Sequence, residues 1–214
     1  MAVCKRCFPQ PRVILAETLK LDPATANDLA VKFRPKAWLR VLPRSHMVTP
    51  LGMGFGNSRF SSPHRRFRLV YIAQDLPTAI AETIVRDRFE RSGDRVLDET
   101  EFDDWAVAEV SATDPLIVLD LRTTGLLRLG VSTDAARAKA HNDGQELSET
   151  VYGTFDVDGL VYGSRLTGAH CLAVYDRAVT CKLDATPAIE LLRHPGLVPA
   201  LQEIGVTVRS SRFL

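Results

Sequence analysis

Residues 67–90 run from strand to turn to helix without a pause, and this transition constrains the chain more than any other stretch. The apolar run Phe67 to Ala73 reads as a strand. Asp75-Leu-Pro77 then breaks it, and Pro77 to about Glu90 reads as a helix whose first buried face is Ala79, Ile80, Thr83 and Ile84. Asp75 or Thr78 can cap that helix, Pro77 suits its first turn, and Ser92-Gly93 would stop it. The end of a strand and the first turns of the next helix are close in space. Tyr71 and Glu82 are therefore candidates to face one cleft.

Further strands are expected at Trp38–Leu42, Trp105–Val110, Leu116–Leu121, Leu160–Tyr162 and Cys171–Tyr175, the last apolar throughout and so expected to be central. Helical patterns fall between Pro11 and Phe33, from Thr133 to His141 with a stop at Asn142-Asp-Gly144, from Gln145 to about Phe155, and from Pro187 to Ile204 with a break near Pro195-Gly196. Strands and helices mix without a regular alternation, which favours an α+β fold, with mixed, mostly antiparallel sheets and flanking helices, over a doubly wound sheet. Three parts are expected: a helical N-terminal extension over 1–35, a main domain over 36–182, and a helical tail over 183–214 packed on that domain.

At 214 residues the chain is long enough for one good core. Its 27 basic and 26 acidic side chains almost cancel, which does not supply the excess that a nucleic-acid surface or a polybasic membrane patch needs. No apolar run approaches the roughly 20 residues of a spanning helix, and the N-terminus lacks the apolar core of a secretion signal, so a cytoplasmic location is expected. Cys4, Cys7, Cys171 and Cys181 are too scattered for a disulfide framework and are expected to be reduced. Cys4-Lys-Arg-Cys7 would make half a zinc site, and the other half is missing.

Between Thr49 and Pro63 lies a loop with glycines at 52, 54 and 56 and a single arginine, Arg59. The spacing is neither a Walker loop nor GxGxxG. On its own the loop is a turn or a weak phosphate-site signal. The basic run His64-Arg65-Arg66 with Arg68 reads as a solvated strand edge.

Three local patterns, GxGNSRF around Arg59, LVYIAQDLPTAIAE from Leu69 to Glu82, and DGLVYGSR through Ser164, taken together resemble the RES domain family, named for its Arg, Glu and Ser. The likeness runs from Trp38-Leu-Arg-Val to Cys171-Leu-Ala-Val-Tyr175. It implies that the main domain is a RES-like catalytic domain with a fold similar to the ADP-ribosyltransferase toxins, acting on NAD as substrate and needing no metal. It implies Arg59 at the pyrophosphate or ribose, Tyr71 packed on NAD, Glu82 as the catalytic acid, Ser164 at the nicotinamide side, and Arg40 as a second cofactor contact. A toxin role in a toxin–antitoxin pair follows from the same resemblance. The partner would be a helix-turn-helix (Xre-type) antitoxin, with no direct nucleic acid or membrane partner and a homodimer left open.

Two departures are visible. Ser-Ser-Pro-His-Arg-Arg-Phe-Arg between Arg59 and Tyr71 lacks the family's Trp-Asn-Pro-x-Gly character, and residues 141–152 replace its aromatic and Thr-Gln pair, leaving His141 and Tyr152 as the available pocket aromatics.

The chemistry fits these residue types. Cleaving the nicotinamide–ribose bond develops oxocarbenium character at the sugar, which a carboxylate stabilises while it orients water. Arginine offers a planar fork to phosphate oxygens, an aromatic face suits a flat base, and a hydroxyl serves a carboxamide or ribose. Each residue alone has an ordinary role: Glu82 in a surface ion pair, Tyr71 in the core, Ser164 as a turn cap, Arg59 as a loop cation. NAD hydrolysis is the leading reading. ADP-ribosyl transfer to a macromolecule and a catalytically silent binding module are the alternatives.

Overall fold

The computed structural model describes residues 19–90, 92–137 and 139–210. Cys4, Cys7 and most of the expected N-terminal extension lie outside the described residues. In chain order the elements are α1 (Pro23–Asp28), β1 (Ala30–Phe33), β2 (Trp38–Pro43), β3 (Leu69–Ala73), α2 (Leu76–Ile80), β4 (Val96–Asp98), β5 (Trp105–Ala112) and β6 (Leu116–Asp120). They continue with α3 (Gly125–Arg128), α4 (Asp134–Arg137), α5 (Asn142–Thr154), β7 (Gly159–Gly163), β8 (His170–Tyr175), α6 (Asp176–Lys182), β9 (Leu183–Ala185), β10 (Ile189–Glu190), α7 (Leu197–Glu203) and β11 (Thr207–Arg209).

The main sheet has the order β1-β6-β7-β8-β3-β2-β5-β10, with β9 also paired to β5. All its pairings are antiparallel except β6 with β7. β11 and β4 form a separate parallel pair. This is the expected α+β class with a mixed, mostly antiparallel sheet and flanking helices. β8 sits between β7 and β3, as its unbroken apolar run predicts.

Strand alternation divides the core in two. Tyr71, Leu160, Tyr162, Cys171 and Tyr175 pack into one cluster, together with Ala79, Ile80 and Ile84 after β3 and Leu147 and Val151 of α5. Val70, Ile72, Val161, Leu172 and Val174, their neighbours in sequence, pack into the other with Trp38 and Val179. A sheet covered on both faces explains why its strands read as continuous apolar runs.

Several expectations are corrected. The segment after Asp75 is a short α-helix followed by a π-helical turn, Ala81–Val85, and ends at Arg86 rather than near Glu90. Asn142-Asp-Gly144 opens α5 instead of stopping a helix, because Gly144 is required there for close backbone contact. Residues 30–33 form a strand against β6, not part of a helix, since Ala30–Phe33 find a register partner from Leu116 to Leu119. Ile189–Glu190 likewise pairs with β5, Leu191–Arg193 forms a single 3-10 turn, and Leu197–Glu203 is the α-helix beyond the expected break. Cys171 is a free buried thiol. No helix among the described residues is long and apolar enough to cross a membrane.

Candidate active site

Asp75 starts the helix that carries the site: its carboxylate accepts from the backbone N–H of Thr78 at 2.8 Å, and Pro77 occupies the first turn. Glu82 falls in the π-helical turn that follows. Single π turns inside helices recur at functional sites, because the wider turn re-aims side chains. The turn closes with the N–H of Arg86 on the carbonyl of Ala81 at 2.7 Å, and Arg86 leaves it at φ 45°, a left-handed conformation uncommon outside glycine.

Ser164 follows β7 and is buried. Its hydroxyl donates to Glu82 Oε1 at 2.6 Å and accepts from the backbone N–H groups of Leu166 and Thr167 at 3.1 and 3.2 Å. Those two N–H groups hold the hydroxyl so that its proton points at the carboxylate. A second tie, Thr78 Oγ1 to Thr167 Oγ1 at 2.8 Å, joins the helix to the same turn. Glu82 and Ser164, 82 residues apart in sequence, are thus fixed against each other.

Arg59 is brought to this pair. Burial lowers its pKa from the ordinary arginine value, while Tyr162, Glu82 and Tyr71 oppose that shift and the charge of Arg165 adds to it. Arg165 is itself ion-paired with Asp87. Tyr71 reaches the same loop through its hydroxyl, which accepts from Ser58 Oγ at 2.9 Å and from the backbone N–H of Phe60 at 3.1 Å, bracketing Arg59. Burial raises the pKa of Tyr71, and these hydrogen bonds partly offset it.

Arg40 stands apart in its contacts. It alternates with Leu39 and Val41, which belong to the core cluster of Tyr71, and its guanidinium donates to the carbonyls of Pro50 and Gly52 at 2.6 and 2.9 Å. Burial pushes its pKa down to about 10. It pins the start of the glycine loop.

Of the two aromatics left open, Tyr152 is a core residue: its ring stacks on Phe67 at 4.4 Å, Arg177 lies over it at 4.3 Å, and its hydroxyl donates to Asp176 at 3.2 Å. His141 lies instead beside the arginine loop, with Nδ1 3.1 Å from the carbonyl of Asn57. The basic run is partly neutralised by Glu149, which pairs with His64 at 2.8 Å and Arg66 at 3.3 Å. Next to the loop is a cleft of about 240 Å³ lined by Phe55, Gly56, Asn57, Ser62, Pro63, Arg65 and Gln145.

Sequence reasoning passed over Tyr162. It is buried, its ring meets Phe60 edge-on at 4.9 Å, and its pKa stands well above the ordinary tyrosine value, first through burial and then through Cys171 and Glu82. The signal was available: two residues before Ser164 on the same strand face as Leu160, it must look toward the side that Tyr71 occupies. No cluster of three or more His, Cys, Asp or Glu arranged to hold a metal occurs among the described residues.

A carboxylate fixed by a hydroxyl, with an arginine and two tyrosines around it, can stabilise a cationic sugar centre and hold a phosphate. Comparison with known proteins gives this group its context. The RES domain family model matches residues 36–194. A protein of Sinorhizobium fredii (strain NBRC 101917 / NGR234), named Probable toxin y4kH, is 39% identical over 80 residues, a match that spans 37% of this chain and 63% of that protein's length. The crystal structure of the M. tuberculosis MbcT–MbcA toxin–antitoxin complex contains a chain similar in fold, with a TM-score of 0.60 and 16% identity over 80% of this chain and 93% of the other.

Proposed function

The chain belongs to the RES domain family, and on that premise we propose that it is a NAD glycohydrolase, converting NAD and water to nicotinamide and ADP-ribose. The observation that carries the reading is the Glu82 carboxylate held by the Ser164 hydroxyl at 2.6 Å beside Arg59. In this reading Arg59 grips the pyrophosphate, and Glu82 lies under the ribose carbon bonded to nicotinamide. As that bond breaks, its electron pair leaves with the nicotinamide nitrogen, which becomes neutral. Glu82 stabilises the cationic sugar and accepts a proton from the water that attacks it. Ser164 keeps one carboxylate oxygen occupied, orienting the other. Tyr71 and Tyr162 supply the walls.

The catalytic unit is proposed to be residues 36–182, with the segment after 182 packed on it. By likeness to relatives named as toxins, one of them solved with an antitoxin, we assign the chain the role of a toxin acting by NAD depletion in the cytoplasm. Its partner would be an antitoxin of the helix-turn-helix (Xre) kind. Incubating the purified chain with NAD labelled in its ADP-ribose part, alone and with a cell extract, tests the activity. Equimolar nicotinamide and free ADP-ribose are expected; label retained on a macromolecule would instead establish transfer, and no nicotinamide release would refute both.

A further inference from the structure

We propose that the first turn of α5 is a positioning device for Arg59, with Gly144 and Gln145 as positioning residues that set how tightly the substrate is bound. The inference rests on the reading of Arg59 as the phosphate-gripping residue. His141, Gly144 and Gln145 fall at i, i+3 and i+4 on one helix face, and all three touch the segment Asn57–Arg59. The Gln145 amide donates twice, to Asn57 Oδ1 at 2.9 Å and to the carbonyl of Ser58 at 3.2 Å. His141 Nδ1 lies 3.1 Å from the carbonyl of Asn57, an acceptor, so this nitrogen carries the proton. At Gly144 a methyl group would come within 2.6 Å of the Arg59 carbonyl, 2.9 Å of Arg59 Cγ and 2.5 Å of the Ala135 carbonyl. Only glycine lets the helix backbone lie against the backbone of Arg59.

Tyr71 of β3 holds Ser58 and Phe60 as well. The arginine loop is therefore gripped between β3 and α5. Because the grip acts on Arg59 and not on Glu82, it governs binding of the substrate more than the bond-breaking step.

The test uses the full chain with Gln145→Met, which keeps the length and removes both donors, and Gly144→Ala. Initial rates of nicotinamide release over a range of NAD concentrations give kcat and KM separately, and hydrogen exchange reports on the amides of Asn57–Phe60. For Gln145→Met the expected result is a KM raised about tenfold, as loss of two neutral hydrogen bonds implies, with kcat changed less than about threefold and faster exchange at those amides. Gly144→Ala should show a larger KM effect; if it fails to fold, Gln145→Met decides alone. Wild-type KM, or a loss confined to kcat, overturns the proposal. Should the wild-type chain release no nicotinamide, the glycohydrolase reading fails by itself. The grip then stands or falls on exchange, and unchanged protection in Gln145→Met overturns it.

Discussion

Replacing Tyr71 by phenylalanine separates two roles that one side chain could serve. The ring is retained, so any packing of its face on a bound base survives. The hydroxyl is lost, and with it the acceptor for Ser58 Oγ at 2.9 Å and for the Phe60 N–H at 3.1 Å. Phe60 is completely buried, so its N–H would be left without a partner in a place water does not reach. A neutral hydrogen bond contributes about 1 kcal/mol net and an orphaned buried donor costs about 1–3 kcal/mol, which puts the expected destabilisation at roughly 2–4 kcal/mol. For a chain of this size that lowers Tm by roughly 4–16 °C. Urea unfolding should show the midpoint falling at unchanged slope. Arg59 lies between the two bracketed residues, so KM for NAD should rise by about tenfold, within the worth of one charge-assisted hydrogen bond. Stability within about 0.5 kcal/mol of wild type, with KM unchanged, would refute the idea that this hydroxyl anchors the loop. Lower stability with an unchanged KM would refute the coupling of that anchor to Arg59.

Two further outcomes are expected. Ser164→Ala removes the donor to Glu82 and frees the N–H groups of Leu166 and Thr167. Its kcat for nicotinamide release should fall by about ten- to a hundredfold and its stability by about 1–2 kcal/mol. The pKa of His141 is lowered from the ordinary 6.5, first by burial and then by the charge of Arg59, with Arg86 and Arg165 adding to it and the hydrogen bond to Asn57 opposing it. The unfolded chain therefore binds this proton at a higher pH than the folded one, so stability is lost as pH falls through about 6.5 and below. A His141→Asn variant should show a shallower decline in unfolding midpoint between pH 7 and pH 5 than wild type, measured side by side.

Much of this site was legible because its determinants are local. Asp75 and Pro77 announce a helix start whatever surrounds them, and the alternation of β3 and β7 assigns Tyr71 and Leu160 to a common face. The π-helical turn was not legible: nothing in Ala81–Val85 departs from an ordinary helix pattern, and the shortened helix reflects the chain's reversal at Arg86. Gly144 was misread as a helix stop because glycine carries the same signature whether it ends a helix or permits contact with another backbone. The second partner, the Arg59 carbonyl, is 85 residues away and invisible to a local reading. Arg40 is a cofactor contact by the family resemblance alone, and its fork donates to carbonyls of the glycine loop. Which face of β2 it occupies follows from strand alternation, and that signal was present.

Everything in the proposed activity turns on Glu82 stabilising the cationic sugar as the nicotinamide–ribose bond breaks. The most direct measurement compares nicotinamide release at saturating NAD by the wild-type chain and by Glu82→Gln, which keeps the size of the side chain and an oxygen to accept from Ser164 while removing the charge. The predicted result is a loss of kcat of about 10²–10³-fold, the usual effect of removing one transition-state-stabilising group, with an unfolding midpoint close to wild type. Release by Glu82→Gln at the wild-type rate would contradict it.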